Sequence, residues 1–179
     1  MAQSARNDDE LVRMFKPVME KVVNYVLDKI LEANETEIIE KVVYEAGEPS
    51  VYNRTKEFEK AWDKKTSTGG AHDVNGEFFY SPEKMSVGSV DPESHNYGQH
   101  IGVAGSYQGQ DSRQYLAEII YEGIAGPAFG HGYWNKRRDA FSRLVNHVGK
   151  VKFNQWFQQG CKKNGLKVNK IIDVEPVKT

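Results

Sequence analysis

The residues most capable of chemistry are the glycines Gly123, Gly126, Gly130 and Gly132, spaced with Pro127 in one loop. Glycines let backbone N–H groups close around a phosphate. Here no Gly-Lys-Ser/Thr follows, no G-x-G-x-x-G follows a strand, and Trp134 stands where a compact helix start would be needed. The stretch therefore reads as a structural or interface loop. Of the five histidines, His72, His95, His100, His131 and His147, the pair His95 and His100 has a spacing that fits neither a helical nor a tight-turn metal site. No carboxylate completes an H-E-x-x-H helix. His72-Asp73 lacks the later cysteine pair that a zinc deaminase requires. Ser89 in Gly88-Ser89-Val90 lacks the second glycine of a nucleophile elbow. Glu118 and Glu122 sit one helical turn apart, as many solvated pairs do. Cys161, the only cysteine, lies on an apolar helix face and reads as core. The expectation is a protein that is not an enzyme, with no catalytic residue, no cofactor and no metal.

The elements that would position these residues come from periodicity. Leu11, Met14/Phe15, Val18/Met19, Val22/Val23, Val26/Leu27 and Ile30/Leu31 recur at three- and four-residue spacing, which predicts a long amphipathic helix reaching to about Glu40. Pro17 allows a start near Lys16, or an earlier start with a bend. Asn34 and Thr36 are its weak points. Ala46 to Ser50 reads as a turn. A short helix striped by Tyr52, Thr55, Phe58, Glu59 and Trp62 follows. Between Lys65 and Val103 the period shortens: Phe78-Phe79-Tyr80 and Met85-Ser86-Val87 read as strands of a small antiparallel meander, with Asn75-Gly76 as a type I′ hairpin turn. Gln114 to Tyr121 predicts a short helix ending at Gly123. Asp139, Phe141, Leu144, Val145 and Val148 predict another, and Phe153, Trp156, Phe157 and Cys161 a last one closed by Asn164-Gly165. Leu166, Val168, Ile171 and Val174 read as a terminal strand. The sum is an α+β fold: a long N-terminal amphipathic helix and C-terminal helices packed on a small antiparallel sheet. The 179 residues suit one domain, with a polar N-terminal segment 1–9 and a C-terminal tail 172–179 expected to be flexible.

Composition narrows the setting. A hydrophobic fraction of 39% and a charged fraction of 27% lie within the globular range, which disfavours wholesale disorder. A single cysteine forms no intrachain disulfide and fits a reducing compartment. No apolar run approaches the ~20 residues of a membrane helix, and the N-terminus does not resemble a signal peptide. The expectation is therefore no membrane association and synthesis in a cytoplasm. The net charge of −1 hides an asymmetry. From Lys136 to Lys170 the cations Lys136, Arg137, Arg138, Arg143, Lys150, Lys152, Lys162, Lys163, Lys167 and Lys170 face only Asp139, while the N-terminal third leans acidic. Such a split can join identical subunits head to tail or present a basic face to nucleic acid. The aromatics among these cations, Phe141, Phe153, Trp156 and Phe157, lie at helical spacing and are expected to face the core.

Two segments resemble the tail completion or head-tail joining (neck) proteins of tailed bacteriophages. The first is Tyr52-Asn53-Arg54-Thr55 with Phe58 and Trp62, after a long amphipathic helix. The second is Tyr115 to Gly123, with Gly132-Tyr133-Trp134, Arg137-Arg138-Asp139 and Phe141 behind it. The resemblance implies a long helix against a small antiparallel sheet, in a virion structural protein whose copies form a homo-oligomeric ring, often a hexamer. That ring would lie at the head-tail junction between the head connector or adaptor proteins and the tail tube protein, with DNA contact in its lumen as a further expectation. The chain departs from that pattern in its longer meander and in Gly126 to Gly132, which replaces a short proline-bearing link. The interface residues this reading expects are Tyr133, Trp134, Lys136, Arg137 and Arg138. A nucleic-acid-binding protein using the basic C-terminal third is the second reading, and a small hydrolase a distant third.

Overall fold

The structure, a computed structural model, describes residues 7–45, 56–70, 73–85, 117, 120, 121 and 138–169. Among the described residues it is helix-rich with one small antiparallel sheet, an α+β arrangement. The chain divides into two compact units. The first gathers residues 1–32, 64–78 and 147–179, and the second gathers 33–63 and 79–146.

Helix α1 (Asp8–Ala33) takes the earlier of the two starts and carries Pro17 in its interior. Asn7 Oδ1 accepts the Glu10 N–H at 2.9 Å and so satisfies one of the orphan donors of the first turn. Asp8, Asp9 and Glu10 complement the positive end of the helix dipole. At Asn34 and Thr36 the helix does not break. It widens into a π-helix, π1 (Asn34–Tyr44), with Glu45 N–H reaching Glu40 O at 2.9 Å. Asn34 is 1% exposed, and neither its Oδ1 nor its Nδ2 has a hydrogen-bond partner.

In the first unit α1 buries Val22, Val26 and Leu27. Each such side chain contributes roughly 1.5–3 kcal/mol when fully buried. Two glycines let other backbones approach this face. A Cβ on Gly76 would lie 2.7 Å from Val23 Cγ1, and one on Gly160 would lie 3.1 Å from the Tyr25 ring. Gly76 opens strand β2 (Asn75–Tyr80), which pairs with β1 (Trp62–Ser67). Asn75-Gly76 is therefore not the hairpin turn: the connection runs through residues 68–74, and the glycine serves close approach to α1. Thr66 Oγ1 donates to Asn24 Oδ1 at 2.8 Å, and Lys64 pairs with Asp28.

Phe78 to Tyr80 is strand, as the sequence predicts, but Met85 is not. A 3-10 turn (Pro82–Lys84) precedes it, and Met85 is buried in extended backbone, while Ser86 and Val87 lie outside the described residues. In the second unit, helix α2 is Glu57–Lys60, Tyr52 and Thr55 of the expected stripe lie outside the described residues, and Trp62 starts β1 instead of closing that stripe. The tertiary reason is an aromatic cluster. Trp62 stacks on Tyr121 with ring centroids 5.6 Å apart, and Phe58 stands edge-on to Trp62 at 6.0 Å and to Tyr121 at 6.1 Å.

Ala117, Ile120 and Tyr121 are helical, within the short helix expected there. The last element, α3 (Ala140–Lys163), merges the two C-terminal helices, with a break at Gly149 (φ 45, ψ 173). Its end is a Schellman motif: Leu166 N–H donates to Cys161 O at 2.9 Å, Gly165 N–H to Lys162 O at 3.2 Å, and Gly165 has φ 78. Leu166 to Asn169 form no strand, and the remainder of the expected terminal strand lies outside the described residues.

Candidate functional site

Most residues with catalytic side chains noted in the sequence fall outside the described residues: His72, His95, His100, His131, Ser89, Glu118, Glu122 and the loop from Gly123 to Gly132. Among the described residues no three His, Cys, Asp or Glu side chains are grouped to hold a metal ion. Among them too, no helix is long and apolar enough to cross a membrane. Cys161 is 2% exposed, and burial pushes its thiol pKa up, away from thiolate chemistry. His147 Nε2 lies 2.7 Å from Lys152 Nζ across the Gly149 break; an ammonium only donates, so the ring nitrogen accepts.

The titratable network of the second unit lies where π1 meets α2. Lys56 Nζ reaches both carboxylate oxygens of Glu40 at 3.1 Å and sits 5.6 Å from the centre of the Tyr44 ring. Tyr44 Oη accepts the Glu59 N–H at 3.3 Å. Burial raises the Glu59 pKa, and Lys56 partly opposes the rise. One perturbed carboxylate opposed chiefly by a lysine that is already paired with Glu40 makes a bracing contact between two helices. Burial likewise raises the Tyr121 pKa inside the aromatic cluster.

Of the five expected interface residues, Tyr133, Trp134, Lys136 and Arg137 lie outside the described residues. Arg138 is described, and the structure places it inside the second unit: it is 7% exposed, and its Nη1 donates to Ile120 O at 3.2 Å. The Arg138 and Asp139 N–H groups both donate to Tyr121 O, at 3.1 and 3.2 Å. Its guanidinium thus closes the helical turn that carries Tyr121.

What the structure leaves uncovered is apolar. In the first three turns of α1 no residue is buried, and Leu11 and Phe15, one turn apart on the stripe that later buries Val22, are 44% and 43% exposed. In the first half of α3, Phe141 and Val145 are again one turn apart and are 55% and 54% exposed; farther on, Phe153 is 36% exposed. The expectation that the aromatics of this region face the core therefore fails at Phe141 and Phe153, where Ala140 and Leu144 take the buried positions instead. Trp156 and Phe157 are half-buried. Sequence reasoning missed these faces because an apolar stripe has the same period whether the chain covers it or not. In the first unit a shallow cleft of about 430 Å³ is lined by Tyr25, Gln159, Lys162 and Lys163. Tyr25 Oη donates to Gln159 Oε1 at 3.1 Å, and Lys163 Nζ stands 4.5 Å from the Tyr25 ring centre, so these three side chains are engaged with one another. No family model, curated protein or solved structure matches the chain.

Proposed function

We propose that the protein is a non-enzymatic structural subunit that works by assembling with other chains, at the head-tail junction of a tailed bacteriophage. The observation that carries assembly is the pair of uncovered apolar faces, Leu11 with Phe15 and Phe141 with Val145. Large apolar side chains left in water at helical spacing reward burial against a partner, and aromatic anchors dominate such contacts. Placement in the neck rests on the sequence resemblance at Tyr52 to Thr55 and at Tyr115 to Phe141; a ring would then join head connector to tail tube. Electron microscopy and mass spectrometry of purified virions test it. The expected result is this chain at the neck in multiple symmetric copies, and virions that lack it overturn the reading.

One observation favours a second reading, nucleic-acid binding. Helix α3 carries Arg143, Lys150, Lys152, Lys162 and Lys163 with no Asp or Glu, and exposes Phe141 and Phe153 among them. Aromatic faces among cations bind single strands. Affinity for DNA that falls by about one log unit per log unit of salt for each neutralised phosphate would support it.

A further inference from the structure

We draw no further inference here: the strongest candidate, the pair of uncovered apolar faces at Leu11 and Phe15 in the first turns of α1 and at Phe141 and Val145 in the first half of α3, carries nothing beyond the assembly already proposed, because nothing in the structure shows what covers either face.

Discussion

Helices α1 and α3 are written with the same alternation of three- and four-residue steps, yet the chain spends them differently. From Val22 to Ala33, α1 buries Val22, Val26, Leu27 and Ala33, and its first three turns bury nothing. In α3 the buried apolar positions are Ala140, Leu144 and Cys161, while Phe141, Val145, Val151 and Phe153 remain exposed. Periodicity specifies that a helix forms and which side is apolar. Whether that side becomes core or contact depends on what the rest of the chain brings to it.

The contrast is sharpest where side chains are fully enclosed. Trp62 is 6% exposed and touches Phe58, Tyr80 and Tyr121. Trp62→Ala is expected to cost about 3–5 kcal/mol, from lost burial and an unfilled cavity, visible as a lowered urea midpoint. A loss under about 1 kcal/mol would mean that the cluster is loosely packed. Exposed Phe141 marks the other extreme: Phe141→Ser should change monomer stability by no more than about 0.5 kcal/mol. If it destabilises the monomer as a core substitution does, the separation between covered and uncovered faces fails.

Two glycines divide a similar cost between different causes. At Gly76 the backbone is ordinary and space is absent, since a Cβ would press on Val23 Cγ1 and on Leu27 Cδ1, the latter at 3.2 Å. Gly76→Ala should therefore cost about 1–3 kcal/mol by overpacking, and Val23→Ala in the same chain should recover part of it. At Gly149 space is ample, with nothing within 4 Å of a Cβ, but φ is 45. Gly149→Ala should cost about 1–2 kcal/mol through the backbone alone, with no neighbour able to relieve it. Thermal unfolding of the two single variants and the Gly76 double variant distinguishes sterics from conformation.

These positions also show what was legible in the sequence. The long N-terminal helix, the C-terminal helical stripes, their closure at Asn164-Gly165, the strand at Phe78 to Tyr80 and the burial of Cys161 all follow from local pattern, and local pattern decides them. Asn75-Gly76 was misleading because the same glycine that favours a tight turn also permits close approach, and only the presence of Val23 and Leu27 against it separates the two. Trp62 left its helical stripe because Tyr121, far along the chain, offers it a stacking partner. Arg138 looked like a surface cation by composition, but the Ile120 carbonyl accepts from its guanidinium and holds it inside. The candidate faces were visible as apolar residues and invisible as exposed ones.

The smallest effect concerns Glu59, on the margin between covered and uncovered. Burial raises its pKa, with Lys56 opposing and Glu35 and Glu40 reinforcing. The folded protein therefore holds this proton to higher pH than the unfolded chain does. As pH rises through the window between the ordinary carboxylate value and the raised one, the unfolded chain releases its proton first, and stability declines. Below that window the group is neutral in both states and costs nothing. Above it the charge is carried in both states, and the folded state bears the penalty of burying it. Glu59→Gln removes the titration, so the variant should melt slightly above the wild type at pH 7, with the gap closing as pH falls through the ordinary carboxylate range. The group is partly in solvent, which keeps the gap small. A variant that melts below the wild type at pH 7, with a gap that also closes on acidification, would show that attraction to Lys56 outweighs burial and would move Glu59 to the uncovered side of the comparison.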